Sequence, residues 1–474
     1  MHRLLFLIHR YLGIGVGALM VMWCLSGAVM MYVSYPDLDE TRRMRNLAPI
    51  RWDGCCKISD GVLADNDPVD ELQLEMLAGM PVLQLQSGHA FRLINLDTGL
   101  AIHRVSADQA AEVATVYAKG ASPAAPERIG LIDYDQWTVS GAFDADRPLY
   151  EFGSDDRIGT QIYVSSATGR AVQITTARER FWNWLGSVPH WLFFADLRHN
   201  APLWSEIVIA TSLIGCFLAA TGIYIGVLQW IRRPAGLWTP YHGFNLWHHI
   251  AGLVFGILAL SWVLSGLLSM NPWGWLEGAS AQRERAQLRN GAAPSGGQIK
   301  AALQTFAAVR PPDLVSLKIA PFNGDVYFIA TASGGARRRL NAGAVPAPLS
   351  ETDWAFAAGI LGRTANAPIL KLMTQEDDYY FSHHRDLALL PVYRLVLADG
   401  TRYYLDAVSG TLAAKLDGGA QAYRWLHEGL HRMDFTAAMR GRPQWDVLML
   451  VLMSGVTLLC VTGAYLGYRR LSRN

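Results

Sequence analysis

The chain has 474 residues, enough for several domains, of which 51% are hydrophobic and 17% charged. A net charge of +1 gives no electrostatic footprint for nucleic acid. Five cysteines without a CxxC spacing give neither a zinc nor an iron–sulfur ligand set.

The N-terminus, MHRLLFLIHRYLG, is short and basic, and an apolar run follows over 11–33. That run is longer than a signal-peptide core and no small-residue cleavage site follows it. It reads as a retained membrane helix ending near Tyr35-Pro36. Three further runs, 207–228, 250–270 and 447–466, also reach the roughly 20 apolar residues that a bilayer crossing needs. Sixteen tryptophans suit membrane interfaces. The predicted cytoplasmic segments are basic and lack acids, with Arg3 and Arg10, Arg232 and Arg233, then Arg469, Arg470 and Arg473. Both termini and the short middle loop are therefore placed in the cytoplasm. The resulting organisation is a first span within 1–36 and an outer domain over 37–200 with an interfacial helix near 180–195. A second span over 201–231, a cytoplasmic loop over 232–246 and a third span over 247–271 come next. The chain closes with a second outer domain over 272–443, an interfacial helix near 421–435 within it, a fourth span over 444–468 and a tail over 469–474.

In the first outer domain, alternation over 89–96 and 160–165 predicts strands, and Asp97-Thr98-Gly99 and Ala167-Thr168-Gly169 predict turns, giving a small α+β domain. In the second, 291–297 and 331–348 are rich in Gly, Ala, Ser and Pro and predict loops. Cys24, Cys216 and Cys460 lie in apolar runs and read as small core residues. Cys55-Cys56 is a vicinal pair, either a disulfide or two thiols. Asp377 to Arg385 mixes acids, aromatics and basic groups; it suits contact with a polar substrate or metal complex, or else a plain exposed strand and loop.

The chain repeats itself. Adding 239 carries His9 onto His248, Gly13 onto Gly252, Gly17 onto Gly256, Trp23 onto Trp262 and Ser26-Gly27 onto Ser265-Gly266. Adding 241 carries Gly169 onto Gly410, Trp184-Leu185 onto Trp425-Leu426, His190 onto His431, Trp204 onto Trp445 and Thr221-Gly222 onto Thr462-Gly463. Two copies of one unit (helix, outer domain, helix) in the same orientation imply a pseudo-twofold axis along the membrane normal.

The repeat sorts the histidines into two levels. His9 and His248 lie at the cytoplasmic ends of spans 1 and 3; His190 and His431 lie on the outer side, before spans 2 and 4. A twofold axis sets each pair face to face, and two facing imidazoles on membrane helices supply both axial ligands of a b-type haem. The expectation is two haem b groups, one near each face, with iron held by His9 and His248 and by His190 and His431. His249 competes with His248, and His427 competes with His431; the sequence leaves both choices open. Glycines at 13, 17, 252 and 256 allow close helix packing or room for a macrocycle. No GxGxxG, nucleotide-binding loop or iron–sulfur motif is visible, so an electron donor has to come from the cytoplasm or from membrane quinone.

The segments HRYLGIGVGALMVMWCLSG, HHIAGLVFGILALSWVLSG, WLGSVPHWLFF and WLHEGLHRMDF resemble the PepSY-associated transmembrane proteins. IYVSSATGRAV and YYLDAVSGTLA are similar to the ends of PepSY domains. The resemblance covers the four helices and parts of both outer domains; long stretches of the first outer domain depart from a plain PepSY pattern. It implies an α-helical membrane protein of the bacterial inner membrane, with four transmembrane helices in two tandem pseudo-symmetric repeats, each carrying a periplasmic α+β PepSY-like domain. It further implies a haem oxidoreductase that reduces a periplasmic ferric chelate or siderophore and releases Fe(II). The alternatives are a non-enzymatic PepSY sensor or binding protein without haem, and a transporter; few ionisable residues between the two histidine levels speak against the transporter.

Overall fold

The computed structural model describes residues 2–88, 90–118, 125–362, 370–382 and 387–472, and the chain divides into two compact units. One unit comprises Met1–Tyr35, Arg178–Glu277 and Gly418–Asn474. The other comprises Pro36–Ala177 and Gly278–Asp417.

The first unit is built on four helices long and apolar enough to cross a membrane: α1 (His2–Met30), α2 (Ala201–Ile231), α3 (Phe244–Ser269) and α4 (Gln444–Leu471). Hydrocarbon offers no partner to a backbone amide, so a spanning segment satisfies itself as a helix. The helices run past the apolar runs because polar ends complete them. The Asn200 side chain caps α2 by accepting from Leu203 N at 3.2 Å. Close packing rests on glycine: Gly17 lies on the Ala464 backbone, Gly256 on Ile223, Gly215 on Val263. A Cβ at Gly455 would fall 2.3 Å from the Phe255 ring. The glycines at 13, 17, 252 and 256 thus serve helix packing; none of them faces a histidine.

Short helices precede α2 and α4. The helices Ala177–Leu185 and Ser187–Trp191 precede α2, and the first exposes Phe181, Trp182, Trp184 and Leu185. Gly418–Tyr423, a π-helical turn Arg424–Gly429 and Leu430–Arg432 lie before α4.

The second unit holds fifteen strands among the described residues. β1 (Glu71–Leu77), β2 (Met80–Ser87), β3 (Ala90–Asn95) and β4 (Leu100–Ala101) come first. β5 (Glu127–Ile132), β6 (Leu149–Gly153), β7 (Gln161–Ser165) and β8 (Ala171–Thr175) follow. β9 (Leu314–Ile319), β10 (Tyr327–Ala332), β11 (Arg337–Asn341), β12 (Lys371–Met373), β13 (Val392–Val396), β14 (Arg402–Asp406) and β15 (Leu412–Leu416) complete the set. β5 to β8 and β12 to β15 each form a four-stranded antiparallel sheet in chain order. The remaining strands form one antiparallel sheet in the order β11-β10-β9-β1-β2-β3-β4.

The β1–β9 pairing, with Leu74 opposite Leu317, joins segments more than 200 residues apart. The sequence divides this part of the chain into two domains; in the structure each half has a four-stranded sheet and a core of its own, and the two share one central sheet with a common core. Leu74, Leu83 and Ile94 pack there with Phe306, Leu317 and Phe328, all fully buried. Each half covers what would be the other's open strand edge. Two expected loops are also corrected. Within 331–348 runs β11, whose three arginines hide its strand character; Leu340 is buried, and the Arg339 guanidinium lies 3.3 Å from the Tyr327 ring centroid. At 291–297, Ser295 caps the helix Gly296–Val309 in a capping box with Gln298. The turns at 97–99 and 167–169 connect strands, and Gly169 has φ +71° with Leu77 packed where a Cβ would lie. Cys55 and Cys56 are bonded to each other.

A test of the shared core follows. The fragment 36–177 produced alone is expected to aggregate or associate, because β1 and its buried face are left open, whereas 36–177 linked to 278–417 is expected to be soluble and folded. A monomeric, cooperatively folding 36–177 in ultracentrifugation and circular dichroism would contradict the shared sheet.

Candidate cofactor site: two histidine pairs between the helices

The four spans bring four histidines together in two pairs. His9 on α1 faces His248 on α3, ring centroids 6.3 Å apart. His190, on the helix Ser187–Trp191, faces His431, on Leu430–Arg432, at 6.0 Å. Along α1 and α3 the two levels are separated by the rise from residue 9 to 23 and from 248 to 262, about 21 Å of helix in each case.

Each ring is held the same way. His9 Nδ1 donates to the Leu218 carbonyl at 3.2 Å, with the Thr221 hydroxyl at 3.5 Å. His248 Nδ1 donates to the Leu459 carbonyl at 3.1 Å, with Thr462 Oγ1 at 3.3 Å. His190 Nδ1 lies 3.1 Å from both the Trp23 carbonyl and Ser26 Oγ. His431 Nδ1 lies 3.2 Å from the Trp262 carbonyl and 3.0 Å from Ser265 Oγ. A carbonyl only accepts, so the proton is on Nδ1 and the lone pair on Nε2. Among the described residues none bonds Nε2 of these four rings. Burial, partly offset by the bond to Trp23, pushes His190 down to about 4. Burial, and then the nearby His190 and His427, push His431 down to about 3. Both rings are neutral at ordinary pH, as a metal-binding imidazole must be.

Glycines receive the rings. An alanine Cβ at Gly222 would lie 2.7 Å from His9 Cε1, and one at Gly463 2.9 Å from His248 Cε1. At Gly27 it would lie 3.2 Å from His190 Cε1; Gly266 leaves 3.8 Å to His431 Cε1. The helices that carry the outer histidines both stop two residues later, at Leu192 (φ +53°) and Met433 (φ +51°). Trp204 Nε1 donates to the Trp191 carbonyl at 2.8 Å and Trp445 Nε1 to the Arg432 carbonyl at 2.7 Å, pinning each of these left-handed turns.

The competing rings differ in their neighbours. His249 is buried, accepts from Thr239 Oγ1 at 2.8 Å and donates from Nε2 to the Gly226 carbonyl at 2.9 Å, so both its nitrogens are used. It is His248 that faces His9. His427 Nδ1 donates to the Ser265 carbonyl at 3.1 Å, and its ring stands 5.4 Å from His431, beside that ring and not across from it.

The geometry fits bis-imidazole ligation. A metal bonded to two imidazole nitrogens at about 2 Å each leaves the ring centroids roughly 6 Å apart. Next to the outer pair, Trp23 Nε1 and Trp262 Nε1 are buried with no hydrogen-bond partner among the described residues. Orphaned donors of this kind cost about 1–3 kcal/mol each unless a bound group accepts from them. Among the described residues no cluster of three or more His, Cys, Asp or Glu forms a metal site; the histidines come in facing twos.

The polar stretch from Asp377 is different. Asp377 accepts from Tyr379 N, Tyr380 N, Arg394 Nη1 and the Tyr404 hydroxyl, an internal network that ties a turn to β14. Asp135 does the same for Tyr163 on β7. His383, His384 and Arg385 lie outside the described residues. Sequence reasoning missed Ser26, Ser265, Thr221 and Thr462 as functional groups, although the repeated Ser-Gly and Thr-Gly pairs were the signal.

A family model described as the PepSY-associated TM region matches residues 6–470. No curated protein matches the chain.

The glycine cradle is testable in the protein itself. Gly222→Ala and Gly463→Ala are expected to cost about 1–3 kcal/mol as the ring and helix are forced apart, read as a clear fall in the thermal midpoint in detergent. Gly266→Ala, with 3.8 Å of room, is expected to leave that midpoint nearly unchanged. Equal midpoints for all three would refute the cradle.

Proposed function

This chain belongs to the PepSY-associated transmembrane family, and from that premise we propose that it is a b-type haem electron-transfer protein of the bacterial inner membrane. Its proposed reaction is the one-electron reduction of a periplasmic ferric chelate, a ferric siderophore in the first instance, with the termini and the donor side in the cytoplasm. The observation that carries the reading is the pair of facing imidazoles at each of two levels, with centroids 6.3 and 6.0 Å apart.

His9 and His248 would hold one haem, and His190 and His431 the other. Bound there, haem supplies one-electron Fe(III)/Fe(II) chemistry. The protein's own part is to fix and dry the site. The carbonyls of Leu218, Leu459, Trp23 and Trp262 hold Nδ1–H, which aims each Nε2 lone pair and raises its basicity. The Ser and Thr hydroxyls share that proton, so they tune how strongly each imidazole donates. Glycines let each ring come close to the helix that holds it. On the substrate, ferric iron in hard oxygen ligands becomes ferrous, a softer and less highly charged ion that such ligands hold less tightly. The electron donor is a cytoplasmic reductant or membrane quinone, since no nucleotide-binding motif is present in the chain.

Detergent-purified protein from haem-replete cells should show a b-type α-band in its reduced-minus-oxidised spectrum. His9→Ala and His190→Ala should each remove about half of the haem measured as pyridine haemochrome, one of two groups in each case. His249→Ala should keep it, because both nitrogens of that ring are used inside the protein. Colourless wild-type protein would sink the reductase reading in favour of a haem-free binding or sensor protein, and full haem in both alanine variants would sink the ligand assignment.

A further inference from the structure

The segments that follow the two outer histidines differ in charge. In the second half, the buried Asp434 carboxylate accepts from Arg424 Nη2 at 3.1 Å and from Arg440 Nη1 at 2.9 Å, so that half supplies its own anion to its guanidiniums. Adding 241 carries Asn183 onto Arg424, Phe193 onto Asp434 and His199 onto Arg440. The first half therefore has an aromatic ring where the second has the carboxylate. Yet it brings a guanidinium to that ring: Arg198 lies 5.1 Å from the Phe193 centroid and 4.5 Å from that of Trp204. Among the described residues the Arg198 side chain has neither an ion pair nor a hydrogen bond, and its Nε is buried.

Stacking orients a guanidinium but does not neutralise it. Arg198 stands just before α2, a helix long and apolar enough to cross a membrane, and Trp191, Phe194 and Leu203 near it in the chain are exposed. A cation among aromatic and aliphatic side chains at the mouth of a spanning helix is placed where headgroups meet hydrocarbon. The planar fork of a guanidinium matches two oxygens of a phosphate. A zwitterionic lipid brings its own ammonium and leaves the charge of Arg198 uncompensated, whereas an anionic lipid supplies what the chain omits. The Trp204 indole under Arg198 also donates to the Trp191 carbonyl at 2.8 Å, beside His190 in the chain. Whatever fixes Arg198 on that indole also steadies the turn that carries His190.

We propose that Arg198, with Phe193 and Trp204, binds the phosphodiester of an anionic glycerophospholipid, which takes in the first half the part that the Asp434 carboxylate plays in the second. The site does not rest on the haem reading.

The test uses the full-length protein, freed of bound lipid in a neutral detergent. Phosphatidylglycerol, phosphatidylcholine and inorganic phosphate are added in turn to wild type, Arg198→Gln and Arg198→Lys. The thermal midpoint and the lipid retained in native mass spectrometry are read for each. Wild type is expected to hold one phosphatidylglycerol and to gain several degrees in its midpoint, with no such response to phosphatidylcholine or phosphate. Arg198→Gln is expected to bind phosphatidylglycerol roughly tenfold more weakly and to lose the gain, as a hydrogen bond to a charged group is removed. Arg198→Lys keeps the charge without the planar fork; a several-fold weaker affinity is expected, and it decides the matter if Arg198→Gln does not fold. Wild-type affinity for phosphatidylglycerol in the deciding variant overturns the site. So does an equal response of the wild type to phosphatidylcholine, which would make Arg198 a cation that only reaches for water, or to inorganic phosphate, which would make it a site for a free anion.

Discussion

The membrane unit turns on one interaction used four times: an imidazole Nδ1–H given to the carbonyl of a neighbouring helix. In hydrocarbon a polar ring without a partner is costly, and a helix carbonyl already accepts from the amide four residues on. It has a second lone pair, so the ring bonds to the helix without breaking it. Three consequences follow. The proton is fixed on Nδ1 and the lone pair on Nε2. The ring must bring its Nδ1–Cε1 edge close to the helix, which a side chain at the contact would prevent; this is why Gly222 and Gly463 lie against His9 and His248. The hydroxyl residue just before the glycine, Thr221 or Thr462 at the inner level and Ser26 or Ser265 at the outer, donates to its own helix and accepts from the ring. A two-residue word, Ser-Gly or Thr-Gly, thus encodes a histidine-binding patch.

How much of this was legible follows from the same chemistry. Spans 207–228 and 447–466 were visible as apolar runs, while α2 and α4 extend to Ala201–Ile231 and Gln444–Leu471 because polar and capped ends continue a helix that hydropathy no longer marks. The facing histidines were legible because the sequence repeats, and repetition carries information about partners that a single copy lacks. The choice between His248 and His249 was not legible. Adjacent residues point about 100° apart on a helix, and only Thr239 and Gly226, remote in pattern, show which ring is already occupied. The β1–β9 pair was hidden for a related reason: alternation tells a strand which face is buried, not which strand lies beside it. The carbonyls that hold the rings carry no sequence signature at all.

The two halves of the chain place like groups at the rings and differ between them. Phe255 fills the space over Gly455, where the other copy has Val16 and Ile214 at the repeat positions. His427 stands beside His431, where the other copy has Gly186 pressed on Val29. Cys24 and Cys460 belong to one apolar cluster, where the repeat position of Cys24 is Val263, set on Gly215. Symmetry is kept where two groups must face one another and relaxed where one group suffices.

The outer level differs from the inner in what supplies its rings. His9 and His248 ride on long spans, whereas His190 rides on a single turn after the break at Gly186 and His431 at the end of the continuous helical stretch 418–432. Both segments end in a left-handed, non-glycine residue, a conformation that costs of order 1 kcal/mol. Something must hold them, and the spans do: Trp204 at the start of α2 and Trp445 at the start of α4 each donate an indole N–H to the carbonyl just before the left-handed residue. The ring's own bond to α1 or α3 closes the other side. Each outer histidine is therefore fixed between two spans, α1 and α2 for His190, α3 and α4 for His431, so the outer pair comes into register only when all four spans are packed. The inner pair has the same dependence, since His9 bonds α2 and His248 bonds α4. Each pair takes one ring from each half of the chain, and each ring is held by the spans of its own half.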